Sequence, residues 1–190
     1  KGWDLVFLEE VCERITDGTH QPPRFERNGD IPFIFVSNIT DGVLTLDTEK
    51  FISHETYKHL MSRCPVEVGD ILYSTVGSYG VAVVVDTDKP FAFQRHIAHI
   101  KPDQSQINSI FLEAMLNSLY VKSQADRRAR GIAQKTINLG EISKFSIYLP
   151  PLSLQEKFSK RIDKVKQIEL YQIETVEQLE KLSRSLLSKS

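Results

Sequence analysis

Cysteine occurs only twice in these 190 residues, at Cys12 and Cys64. The two stand far apart and form no C-x-x-C, so both read as reduced core or surface thiols of a cytoplasmic protein, with a disulfide as the minor alternative. No apolar run approaches the roughly 20 residues of a membrane helix, which excludes a membrane partner. An initiator Met and a signal-peptide pattern are also missing; Lys1 reads as an artificial or processing boundary, and nothing argues for export. Gly69, Gly77 and Gly80 make neither G-x-G-x-x-G nor a P-loop, which argues against nucleotide chemistry. The five histidines offer only His54 with His59 and His96 with His99. The second pair falls in an expected strand, where residues three apart point to opposite faces and cannot readily share a metal. Neither cysteine lies beside a recognisable helix start or base, and no Asn-Pro-Pro-Tyr-like or Asp-Pro-Pro-Tyr-like methylation motif is present. The expectation is a chain that needs no metal or cofactor and does no covalent chemistry.

Present instead is an ordinary globular composition, 41% hydrophobic and 26% charged, enough for one good core. The net charge of −1 conceals segregation. Residues 1–88 carry seven Lys/Arg against fifteen Asp/Glu, whereas residues 89–135 carry eight against three. Arg127, Arg128, Arg130 and Lys135 concentrate the positive charge around Gly131, as a phosphate-binding patch requires; a solvated helix face would give the same pattern.

Short β-branched or aromatic runs bounded by turn residues predict strands at Ile31–Val36, Ile71–Thr75, Val81–Asp86, Phe91–Phe93 and His96–Ile100. A last apolar strand covers Phe145–Leu149. Gly77-Ser78-Tyr79-Gly80 predicts a hairpin with Ser74, Thr75, Ser78 and Tyr79 near its exposed tip. Ser53 is expected to cap a short helix ending near Ser62, and Ile110–Leu119 has helical spacing that extends toward Arg130. The opening segment is also read as helical.

Pro150-Pro151 then ends the last strand and forbids a helix running through it. Ser153 and Glu156 stand in the S-x-x-E relation of a capping box. Beyond them no Gly or Pro appears to about Ser188. Phe158, Ile162, Val165, Val176, Leu179 and Leu186 fit a repeat of seven, widened by Ile168, Leu170, Ile173 and Leu182. Glu169, Gln172 and Ser183 interrupt the seam. Roughly 36 residues at about 1.5 Å each give a rod of about 54 Å, too long for one small domain to cover. Pairing with another helix is the expectation, and folding back on its own domain the alternative.

Six groups of residues follow one another in a telling order. The first three are Trp3-Asp4-Leu5 with Leu8-Glu9-Glu10-Val11, Ile15-Thr16-Asp17-Gly18-Thr19-His20, and Ile31-Pro32-Phe33-Ile34 with Ser37-Asn38-Ile39. Val68-Gly69-Asp70-Ile71-Leu72 with Gly77-Ser78, Gly131 through Ile137, and Pro150-Pro151-Leu152 with Gln155 complete the order. Together they resemble the specificity subunit of type I restriction-modification enzymes. The chain departs from the family in having Leu154-Gln155 and Phe158 where Glu-Gln and an Ile are usual. It also holds one domain and one helix where the family has two of each. The resemblance implies an α+β fold: a mixed, mostly antiparallel curved β-sheet target-recognition domain (1–152) with short helices, then a long coiled-coil-forming spacer and dimerisation helix (153–190). It implies a non-catalytic, cytoplasmic subunit that binds one half of a bipartite double-stranded DNA target. Its expected partners are methyltransferase and restriction subunits and a second specificity half met through the helix, as a homodimer or otherwise.

Side-chain chemistry nominates the reading residues. Arg can grip guanine, Asn and Gln can pair with adenine, and short hydroxyls suit phosphates. Thr19, His20, Gln21 and Arg24 occupy a polar Pro-rich loop, Ser37 and Asn38 follow a strand, and Ser74, Ser78 and Tyr79 crown the hairpin. Gln94, Arg95 and His96 interrupt two apolar strands, and Arg130, Gln134, Lys135 and Asn138 flank the basic turn. Two other classes stay open: an assembly module that uses the helix without binding DNA, and an enzyme built on Cys64 or a histidine.

Overall fold

The structure, a computed structural model, describes residues 2–27, 29–62, 64–131 and 134–187, without the side chains of Leu170, Ile173, Glu177, Leu182 and 185–187 in the last helix. The expectations for Ile132, Ala133, Leu170, Ile173, Leu182 and the Leu186 side chain therefore lie outside the described residues.

Among the described residues nine strands fall into three sheets. Strand β1 (Asp4–Phe7) leads through one 3-10 turn, Leu8–Val11, into β2 (Cys12–Asp17). β3 (Ile31–Ile34) and β4 (Phe51–Ile52) follow, then helix α1 (His54–Met61), β5 (Ile71–Ser74), β6 (Ala82–Val84), β7 (Ala92–Phe93) and β8 (Ile97–Pro102). Helices α2 (Ser109–Leu116), α3 (Leu119–Arg128) and α4 (Leu139–Ile142), strand β9 (Ser146–Leu149) and helix α5 (Leu152–Leu187) complete the chain. The sheets run β1-β9, β2-β8-β5-β6 and β4-β3-β7; all described pairs are antiparallel except β3 with β7.

Apart from the single 3-10 turn at Leu8–Val11, the opening segment is thus extended and not α-helical. Val6, Leu8, Val11 and Ile15 imitate a helical spacing, but Leu5 pairs with Tyr148 on β9 and Ile15 with Ile100 on β8. These partners lie far along the chain, and their ladders override the local pattern. Outward on the β1-β9 sheet stand Trp3, Leu5, Phe7 and Tyr148, all exposed.

β5 is buried on both sides, which explains its unbroken apolar run. Ile71 and Tyr73 face α2 and α3 with Phe111, Leu112, Leu116 and Val121; Leu72 faces the third sheet with Phe33, Ile34 and Phe93. Capping sets the helix starts, as expected for α1, where the Ser53 hydroxyl accepts from the Thr56 amide at 3.2 Å. The expected continuous helix after Ile110 is two helices, because the Asn117 side chain bonds both backbone groups of Ala82 at 2.9 Å and Ser118 caps a new start.

At α5 the Pro151 carbonyl already accepts from the Leu154 amide at 2.8 Å, so the helix starts at Leu152 and Ser153 lies inside its first turn, not at the cap. Gln155 fastens this end to the domain. Its carbonyl accepts from the Asn108 amide at 2.8 Å, and its amide donates to the carbonyls of Gln106 and Pro150 at 3.1 and 2.8 Å. The Phe158 ring meets Phe111 edge-on, and Lys166 reaches Glu113 at 3.6 Å. From Val165 onward every described side chain but Thr175 is exposed, so the helix does not fold back. No helix among the described residues is long and apolar enough to cross a membrane.

Candidate nucleic-acid interface

The 93–96 segment organises one end of the domain. Gly18 lies flat against it: a Cβ there would sit 2.1 Å from the Phe93 carbonyl oxygen, so only glycine admits this approach. The Thr19 amide donates to the Phe93 carbonyl at 3.1 Å, and the Arg95 amide to the Thr19 carbonyl at 3.0 Å. On its other flank the Thr75 amide and hydroxyl both donate to the His96 carbonyl at 3.0 Å, and the Ile137 amide to the Thr75 carbonyl at 2.9 Å. The basic turn is closed by paired backbone bonds between Arg130 and Thr136, with Gly131 at φ +115° and its would-be Cβ 2.3 Å from the Gln134 carbonyl oxygen. Four segments distant in sequence thereby lie side by side.

Two clefts result and meet at Arg95 and His96. One, about 590 Å³, is lined by Thr75, Arg95, His96, Gln134, Thr136 and Asn138, with Asp17 at its wall. The other, about 280 Å³, is lined by Thr19, His20, Gln94, Arg95 and His96 over Phe25, Phe33 and Phe35. Arg95 is exposed and its Nε approaches His96 Nε2 at 3.4 Å. Partial burial, and then the Arg95 charge, lower the His96 pKa, favouring a neutral imidazole that can donate and accept. His20 is tied to Asp17 at 3.0 Å, and the Thr19 hydroxyl donates to the Gln21 carbonyl at 2.7 Å. Gln21 and Arg24 are exposed on the irregular segment beyond.

Several other nominated residues spend polar atoms inside the domain. Asn38 is buried; its side chain accepts from the Phe35 amide and donates to the carbonyls of Thr45 and Asp47. All this capacity goes to holding a loop, and the neighbouring Ser37 shares its cleft with Asp47, Glu49 and Lys50, a lining of net negative charge that does not favour phosphate. Ser74 is fully buried, donating to the Ser78 carbonyl and accepting from the Val81 amide, so it shapes the hairpin and is not at an exposed tip. Thr75 at the same tip is buried too. Ser78 is exposed, while the half-buried Tyr79 donates its hydroxyl to Asp126 at 2.8 Å with the Lys122 ammonium 4.0 Å above its ring. Asn138 caps α4, accepting from the Glu141 amide at 3.0 Å.

The basic cluster also divides. Arg128 is spent internally, on Glu141 at 3.3 Å, the Lys144 carbonyl and the face of Phe145. Arg127, Arg130 and Lys135 remain exposed. Thr136, which escaped the sequence reading, is exposed between the basic turn and Arg95; its place beside Lys135 was the available signal.

A separate polar chain lies behind the Gly18 turn. His99 Nε2 is 2.7 Å from a carboxylate oxygen of Asp70, and Nδ1 is 3.5 Å from Cys64 Sγ. Cys64 and His99 stand 35 positions apart, so no local sequence signal joins them. Among the described residues no three His, Cys, Asp or Glu side chains converge as a metal site requires.

The family described as type I restriction modification DNA specificity domain matches residues 1–181. The specificity subunit of the Escherichia coli type I restriction enzyme EcoBI is 28% identical over 169 residues, covering 86% of this chain and 35% of that protein. Among solved structures, the HsdS subunit from Thermoanaerobacter tengcongensis superposes with a TM-score of 0.60 at 24% identity, over 87% of this chain and 38% of that one. A chain from a structure concerned with complex assembly and conformational transition of the type I R-M system gives 0.65 at 24%, over 99% and 45%. These structural likenesses carry the mixed α+β fold with its long final helix, and this chain spans less than half the length of each relative.

Proposed function

This chain belongs to the type I restriction-modification DNA specificity family, and on that premise we propose that residues 1–152 read one half of a bipartite double-stranded DNA target without catalysing any step. Residues 153–190 act as the spacer, pairing as a coiled coil with the helix of a second specificity half, from another copy or another domain. Methyltransferase and restriction subunits dock on this assembly and supply all covalent chemistry, so the chain itself holds no cofactor. The observation that carries the reading is the convergence of Thr19, Gln94, Arg95, His96 and Gln134 from separate segments onto two clefts that meet at Arg95.

Arg95 is the proposed base reader, since its exposed guanidinium can bond O6 and N7 of one guanine together. Arg130, Lys135 and Thr136 lie beside it as phosphate contacts, where charge contributes to affinity for any sequence. His20, Gln21, Arg24, Ser78, Tyr79 and Asn138 border the same face. Ser37, Asn38 and Ser74 do not belong to it, for the burial and charge reasons above.

The test is binding of the full chain to a randomised duplex pool across a salt series. Arg95→Ala is expected to relax preference at one base pair, costing about 1 to 3 kcal/mol there. Lys135→Ala is expected to weaken binding to all sequences and to lower the salt slope by roughly one. Absence of salt-dependent DNA affinity in the chain paired through α5 would favour the second reading, an assembly module. The exposed shaft of α5 and the outward Trp3, Leu5, Phe7 and Tyr148 would then be its working surfaces.

A further inference from the structure

The chain of polar groups at Cys64 has a chemical logic of its own. His99 and Asp70 are buried, their side chains 1% and 4% exposed. Asp70 also accepts from the Glu67 amide at 2.8 Å and meets Lys101 at 3.3 Å. Burial works to raise its pKa, but the bonds from His99 and Glu67 and the nearby charges hold it below the usual carboxylate range, so it stays an acceptor. An acceptor at Nε2 fixes the imidazole proton there and leaves the Nδ1 lone pair facing the thiol. Thiol, base and orienting carboxylate stand in sequence, the arrangement by which a protonated nucleophile is activated.

The thiol is reachable. Cys64 lines an open cleft of about 540 Å³ with Thr16, Gly18, Thr19, His20 and His59. Burial pushes its pKa up, partly offset by the Arg14 and Lys101 charges, so the thiol rests protonated and needs the base. Cys12 serves as an internal contrast, pushed up to about 12 by burial and by Asp103.

We propose that Cys64 is a covalent modification site that exchanges with a small disulfide able to enter this cleft, with His99 relaying the proton. The Cys64 proton passes to His99 Nδ1, and the sulfur attacks one sulfur of the incoming disulfide. The S–S bond breaks, and the departing thiolate takes the proton from His99. Cys64 is thereby oxidised to a mixed disulfide, and the other half of the reagent is reduced to a thiol. The adduct fills the cleft against Thr19 and His20, so modification lowers DNA affinity; this consequence alone rests on the proposed DNA-reading role.

The test incubates the full chain with oxidised glutathione at neutral pH and follows intact mass with peptide mapping. One adduct is expected, on Cys64, forming roughly tenfold faster in the folded chain than in the urea-unfolded chain, with Cys12 unmodified. Slower reaction when folded, or equal labelling of Cys12, would overturn the proposal. His99→Gln is expected to remove the acceleration, and Asp70→Asn to reduce it; should either variant fail to fold, the folded-to-unfolded rate ratio of the unaltered chain decides. DNA affinity of the adduct is expected to fall several-fold. Adduct formation with undiminished affinity would overturn the regulatory consequence while supporting the exchange, and a chain that never binds DNA would count against the function proposed above.

Discussion

The foot and the shaft of α5 have the same kind of sequence and opposite surroundings. In the foot, Gln155 is 1% exposed and Phe158 half-buried against Phe111. In the shaft, Val165, Ile168, Tyr171, Val176 and Leu179 are between 50% and 70% exposed. Periodicity says only that a helix has an apolar stripe. What covers the stripe depends on whether polar groups nearby fasten the helix down, and here three hydrogen bonds from one glutamine do so.

The comparison can be broken most forcefully at that glutamine. Gln155→Ala leaves the Asn108 amide and the Gln106 and Pro150 carbonyls short of a buried partner, and is expected to destabilise the domain by about 3 kcal/mol in urea unfolding. A loss under about 1 kcal/mol would mean that the foot is held by packing alone. Phe158→Ala is expected to cost about 2 kcal/mol, below the range for a fully buried phenylalanine because the ring is only half covered. Least damaging to the domain is Leu179→Glu, whose effect on unfolding at low concentration should stay within about 0.5 kcal/mol. In light scattering the same variant is expected to abolish pairing of the helix; a mass unaffected in a chain that does pair would place the seam elsewhere.

Much of the core was legible because its signals are local. The β-branched runs of β5, β6 and β8, the Ser53 cap and the glycine-bounded hairpin each announce themselves within a few residues. β1 and β2 did not, since their identity comes from β9 and β8, more than eighty positions away. At the candidate interface, Arg95 and Gln134 were recognisable by chemistry, and their adjacency was not. Asn38 and Ser74 misled for the opposite reason: the polar atoms that suit DNA serve equally well to bind a loop's own backbone. Cys64 was discounted because its base arrives from another strand, and Gln155 stood out only as part of a resemblance until its three bonds gave it a physical role.

The pairing of β1 with β9 brings Asp4 beside Leu149, so the polypeptide enters and leaves the domain at one point. Together with the 106–113 stretch that holds Gln155, Phe158 and Lys166, these two strands form a frame. Replacing the segments carried by that frame would, on the proposed function, change what is read while leaving the root of α5, and any distance measured from it, where it was.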